Sequence, residues 1–317
     1  MLHRYIFISL CAFEFAFGGW FVESWSLEDP PTLEQSLNAL LEVDCKKVEL
    51  LKGITPKSHY KGSEAVKECE IEQKLLRVII EDDAQGYQKM LDNNQWSRYF
   101  LFYTTQSPRL EITPLMVSIV FDSYNVFELI LAESGRVDLL TKDKPRFNIN
   151  RMMLDDYSSL GAFQLQDRIF DVNGVSALDL AAMYHRYGMF WEILKKGAEY
   201  NNRKHPNSNG IVTFGDSHIL ELMLYFDESF LRDFGGGNML HFVARDGNME
   251  LLEYLIKEKQ IPVDSLKAGE TPLDAALNAK NFQKKPQIEI AKKLIELGAT
   301  PSEANERRLK RLLQKEQ

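Results

Sequence analysis

At 317 residues, with 44% hydrophobic and 26% charged residues, the chain has the composition of a folded protein, and its length alone corresponds to about two ordinary domains. The formal charge of −8 excludes a general nucleic-acid binder, which needs a basic face to displace counterions from phosphates, and favours a basic or neutral protein partner. The histidines, His3, His59, His185, His205, His218 and His241, form no His-x-x-x-His set and the cysteines no Cys-x-x-Cys, so no metal and no cofactor is expected.

The amino terminus differs from the rest. His3-Arg4 precedes an apolar run from Tyr5 to Phe13, long enough for the core of a signal peptide and too short to span a bilayer. Ala16-Phe17-Gly18 supplies small residues for cleavage, which gives a signal peptide over residues 1–18 and a secreted or periplasmic chain. An uncleaved anchor over residues 5–22 is the alternative, and Glu14 intrudes on the apolar stretch in either case. Without the leader two cysteines remain, Cys45 and Cys69, 24 residues apart, and an even pair in an exported chain points to a disulfide; two reduced thiols are the other reading. Both lie in a helical region over residues 27–71, where Thr32 and Gln35 make a capping-box pattern ahead of Leu33, Leu37, Leu40 and Leu41.

A repeating pattern begins near residue 72. Leu75 to Leu91 reads as a capping unit, and Thr113-Pro114-Leu115 opens another ahead of Val126-Phe127-Glu128-Leu129-Ile130-Leu131. Residues 139–172 read as a long insertion. Asn173-Gly174-Val175-Ser176-Ala177-Leu178-Asp179-Leu180-Ala181-Ala182 then starts a unit closed by Gly197-Ala198, and Ser217 to Phe234 reads as a degenerate copy. Asn238-Met239-Leu240-His241 restarts 33 residues later as Thr271-Pro272-Leu273-Asp274, whose unit ends Leu297-Gly298-Ala299 with residues 281–286 inserted. In the Asn238 unit, Lys259-Gln260 stands where the others close on Gly-Ala. A unit of this length cannot bury its apolar face alone and must stack on its neighbours. Residues 301–317 end the chain as a basic amphipathic helix, with Arg307, Arg308, Lys310 and Arg311 beside Leu309, Leu312 and Leu313.

A glycine turn, a short helix, a leucine-rich second helix and a closing Gly-Ala together resemble the ankyrin repeat. The resemblance implies an all-α fold, an ankyrin-repeat α-solenoid over residues 72–300 with an N-terminal helical capping region. In such units Thr-Pro starts the first helix, because proline costs little where its missing amide would have no partner and threonine caps free amides. Thr113, Pro114, Thr271 and Pro272 take that role here, Gly174, Gly197, Gly247 and Gly298 take the turns, and His241 takes the family's hydrogen-bonding histidine position, where Asp179 and Asp274 stand in neighbouring units.

The resemblance also implies a non-catalytic protein-binding module that uses turn tips and the concave face of the first helices. Carried over, the partner-binding positions are Val175, Met183, Tyr184, Arg203, Arg245, Asp246, Glu270, Asn278 and Ala279, with Tyr184 and Arg245 foremost because aromatic and arginine side chains are enriched among interface anchors. The partner is an unidentified protein. An inhibitor or immunity-type role, a secreted effector and a scaffold all fit.

One motif points elsewhere. Gly215-Asp216-Ser217 after Ile211-Val212-Thr213-Phe214 resembles the nucleophile block of serine esterases, with Ser217 as nucleophile. No histidine in the chain has an aspartate three residues before it, as that family requires, and Asp216 and Ser217 also suit helix capping. Gly235-Gly236-Gly237 lacks the Lys-Ser/Thr that a phosphate-binding loop requires.

Overall fold

A computed structural model describes residues 32–46, 63–95, 100–102, 110–134, 162–165, 168–171, 175–198, 210–231, 239–278 and 286–316. The expected signal peptide and anchor, Gly174, Arg203 and Ala279 lie outside them.

Within this range the chain is a stack of antiparallel helix pairs. An isolated helix, α1 (Leu33–Leu41), precedes six pairs: α2 (Ser63–Ile80) with α3 (Ala84–Asp92), α4 (Pro114–Val120) with α5 (Tyr124–Ser134), α6 (Ala177–Met183) with α7 (Tyr187–Lys195), α8 (Gly210–Phe214) with α9 (Ser217–Phe226), α10 (Met239–Asp246) with α11 (Met249–Lys257), and α12 (Pro272–Asn278) with α13 (Ile288–Glu296). A last helix, α14 (Glu303–Glu316), packs on the sixth pair. This is the all-α solenoid that the repeats imply, decorated by two short antiparallel hairpins. Strand β1 (Phe100–Phe102) pairs with β2 (Leu110–Ile112), and β3 (Ala162–Leu165) with β4 (Arg168–Asp171). The stretch read as a plain insertion over residues 139–172 therefore holds a hairpin between the second and third pairs. The degenerate unit also differs from its reading. Its first helix is α8, five residues long and too short to show a period, and Ser217 opens its second helix.

Side-chain caps start the helices. Thr113 accepts from the Met116 amide with Pro114 in the first turn. Asp83, Asp216 and Asn248 cap α3, α9 and α11 in the same way. At the family's histidine position Asp179 and Asp274 do something else: each is the third helical residue and accepts from the backbone and hydroxyl of Ser176 or Thr271, closing a capping box. His241 instead meets the Glu270 carbonyl oxygen through Nε2 at 3.0 Å, linking the fifth pair to the turn of the sixth.

The joint between the helices of a pair needs a left-handed residue. Gly247 supplies it in the fifth pair (φ 86°), while Asp82, Asp122 and His185 do so in the first three at 54°, 58° and 53°. Asp82 also accepts from the Asn125 and Val126 amides, so its strained backbone places a bond to the next pair. An added Cβ at Gly247 would also meet the Gln287 carboxamide oxygen at 2.5 Å, so that flexible side chain would have to move. Gly197 and Gly298 close their units at φ 86° and 100°, and Gln260 takes the same hand (53°) where the fifth unit lacks glycine.

Neighbouring pairs are stitched at the residue that opens each second helix. Arg186 donates to the Ile119 and Val120 carbonyls and pairs with Asp122 at 3.1 Å. Asn248 donates to the Val212 and Gly215 carbonyls at 3.0 and 2.8 Å. Phe127 and Phe190, the largest fully buried side chains, fill the core between these joints.

Candidate functional site: the concave face

Burial is uneven along the first helices of the pairs: α4, α6 and the described side chains of α8 are buried, while α10 and α12 keep half-buried or exposed positions. Every residue of α4 and of α6 is buried, including the positions that should face solvent. The amino-terminal block lies against this end of the stack, through α2 and through Tyr184. Helix α1, held by its Thr32–Gln35 capping box, turns Leu33, Leu37 and Leu40 into the same hydrophobic cluster as α4 and α6. It packs against α2 and against strand β3, so it lies between the helices and a hairpin. Gln73 of α2 donates to the Leu40 and Val43 carbonyls at 2.8 and 2.7 Å, and Cys45 and Cys69 form a disulfide with Cα atoms 5.7 Å apart. At the far end the Tyr184 hydroxyl donates to Glu34, and burial followed by that carboxylate pushes the phenol well above its ordinary pKa. The block thus ties α2 to the residue that ends α6, where an end cap was expected.

This corrects part of the carried-over set. Val175 and Met183 are each 1% exposed and belong to the core, so neither reaches a partner. Tyr184 is half-buried and engaged by Glu34. The Asp246 side chain is 8% exposed; it accepts from Arg245 Nε at 2.8 Å and from the Thr213 hydroxyl at 3.0 Å, which makes it a support for Arg245. Arg245 is half-buried, while Glu270 and Asn278 are exposed.

Two residues were missed. The Arg245 guanidinium carbon lies 4.9 Å, and the Lys267 ammonium 3.9 Å, from the centre of the Phe242 ring. Phe242 follows His241 and stands off the Leu240, Val243, Ala244 stripe, a signal legible in the sequence as an aromatic on the wrong face. Lys267 is placed by a tight turn. Its backbone and that of Glu270 exchange hydrogen bonds around Ala268 and Gly269, both at positive φ, the type I′ arrangement of a two-residue hairpin loop. Burial first, and then the Arg245 charge, lowers the Lys267 pKa against an opposing pull from Glu270. Leu266 beside it is 72% exposed.

Gly215-Asp216-Ser217 is the joint between α8 and α9. The Ser217 amide and hydroxyl both donate to Glu250 Oε1, at 3.2 and 3.4 Å, so this serine is engaged by a carboxylate. Asp216 caps α9 and is met by Tyr187 and by His185 Nδ1 at 3.1 Å. Burial raises its carboxyl pKa, but the Tyr187 hydroxyl, the Ile219 amide and the two nearby histidines outweigh that and hold it below the ordinary value. The Tyr187 phenol is pushed up to about 12 by the same hydrogen bond, with burial second. A depressed carboxyl stabilises the fold above its unfolded pKa and loses that contribution as pH falls through the folded one; a raised phenol contributes below pH about 10 and loses it on further rise. Asp216→Asn is therefore expected to lower stability by about 2 kcal/mol at neutral pH and to flatten the acid limb of melting temperature against pH, an outcome that an unchanged limb would contradict. Among the described residues no group of three or more His, Cys, Asp or Glu side chains is arranged to hold a metal ion, and no helix is long and apolar enough to cross a membrane.

The family model for ankyrin repeats, in three copies, matches residues 210–305. No curated protein matches the sequence. Among solved structures, the chain is similar to one in the complex of the predatory endopeptidase Bd0816 from Bdellovibrio bacteriovorus with immunity protein Bd3460, at 18% identity and a TM-score of 0.40 over 70% of this chain and 97% of that one. It is also similar to the human ASB11 ankyrin repeat domain, at 13% identity and a TM-score of 0.40 over 71% of this chain and 84% of that one. Neither likeness is close enough to add to the repeat match. The matched segment spans the fourth to sixth helix pairs, and the pairs before it have the same paired helices, caps and left-handed joints, so residues 210–305 are ankyrin repeats at the end of a stack built alike.

Proposed function

We propose that the chain is a non-catalytic binding module that takes a protein partner on the first-helix face of its fifth and sixth helix pairs. The observation that carries this is the contrast in burial: α4 and α6 are wholly buried, whereas α10, α12 and the turn between their units present Phe242, Arg245, Glu270 and Asn278. A preformed surface of this kind costs little ordering on binding, which suits a partner that must be recognised tightly.

The finer reading is an exported inhibitor or immunity-type partner. The leader pattern and the buried Cys45–Cys69 bond both suit an oxidising compartment, and a rigid face can silence another protein by occupying it. A photo-crosslinking residue at Asn278 or Glu270 is expected to trap the partner in the exported fraction. One at Tyr225, 83% exposed on a second helix, is not. Trapping from Tyr225 alone would sink the assignment of the face.

A further inference from the structure

The proposed binding face has a charge of its own. Residues 201–317 hold 17 Lys and Arg against 17 Asp and Glu, so the whole excess of −8 resides in residues 1–200. Within the neutral half, Arg245 and Lys267 are drawn over one aromatic ring from two different elements, a helix and a hairpin turn. Asp246 meets the guanidinium at its Nε edge. A guanidinium fork is matched to a carboxylate, and an ammonium beside it adds a further donor. The two cations repel: burial first, and then the Arg245 charge, lowers the Lys267 pKa, against a pull from the Glu270 carboxylate. An anion placed between them would relieve the repulsion. Leu266 and the half-buried Ala275 offer apolar contact next to the charges, as an extended protein segment would use and a free ion would not.

We propose that Arg245 and Lys267, floored by Phe242, form a seat for a carboxylate side chain in an acidic segment of the protein partner. The proposal rests on the binding-module reading and reverses, at this spot, the preference for a basic or neutral partner that the overall charge suggests. Phe242 fixes where the cations sit, and Asp246 and the Ala268-Gly269 turn set their directions.

The test uses the full chain and a fluorescein-labelled hexaglutamate peptide, followed by anisotropy, with hexalysine as the opposite charge. Hexaglutamate is expected to bind, to weaken as salt screens the contact, and to lose about tenfold or more in affinity with Arg245→Gln or Lys267→Gln. Lys267→Arg should restore most of it. Urea unfolding of each variant establishes that the fold is kept, and Lys310→Gln, on exposed α14, should bind as the parent does. Equal affinity in the parent and both glutamine variants overturns the seat, as does tighter binding of hexalysine or an equal loss with Lys310→Gln. If a partner is crosslinked from Asn278 yet its affinity ignores Arg245→Gln and Lys267→Gln, the binding face stands and the seat falls.

Discussion

Asn248→Ala is expected to destabilise the protein by about 3 kcal/mol, more than most single changes outside the apolar core. Asn248 is 8% exposed, and its amide serves three bonds at once. The nitrogen donates to the Val212 and Gly215 carbonyls of the preceding pair, and the oxygen accepts from the Leu251 amide at 3.1 Å to cap α11. Alanine removes a cap worth about 1 kcal/mol and leaves two carbonyls in a joint without their donor, at about 1 kcal/mol each. Asn248→Ser should fall between, since serine can cap but cannot span to both carbonyls. Urea unfolding followed by circular dichroism reads the effect. A loss below about 1 kcal/mol for alanine, or equal losses for alanine and serine, would mean that the joint is held by packing and not by this side chain.

The second large effect concerns the amino-terminal block. Closing a loop of 24 residues by a disulfide stabilises by about 3 kcal/mol on the loop-entropy account, so Cys45→Ser with Cys69→Ser is expected to cost about that much. The loss should be local in its first consequence. Leu37 is fully buried beneath α1, and the Gln73 bonds to Leu40 and Val43 depend on the chain following α1 being held near α2. Hydrogen exchange should therefore quicken over α1, and in α4 and α6, before it changes in α10 to α13. Unchanged exchange over α1 with a melting temperature equal to the parent's would show that the apolar face of α1 is enough to keep it seated.

What could be read in the sequence was the local chemistry. Thr113-Pro114 and Thr271-Pro272 announce helix starts because capping is settled within four residues, and the 33-residue restart at Thr271 locates a unit because each repeat rebuilds the same joint. Helix α8 stayed hidden because five residues carry no period, and the Asp216 cap of the helix after it lies in a motif that also resembles an esterase block. The place of α1 was illegible for a different reason. The spacing of Leu33, Leu37 and Leu40 marks an apolar face without naming the surface it will cover. Val175 and Met183 were accordingly assigned to solvent by their place in the repeat, although the fold around them buries both. Phe242 and Lys267 lie 25 residues apart on a helix and a turn, and only the stacking of successive units brings them together.

Repeat arrays ordinarily behave as one-dimensional chains, in which each unit exchanges energy with its two neighbours and stability is a sum of such terms. Helix α1 breaks that rule by joining the first pair, through Gln73, to the third, through Tyr184. A tie between next-nearest units makes the first three pairs one cooperative block that must melt together. The fifth and sixth pairs, whose described bonds run between neighbours, have no such tie among the described residues, so the part proposed to face a partner is also the part free to adjust its curvature to one.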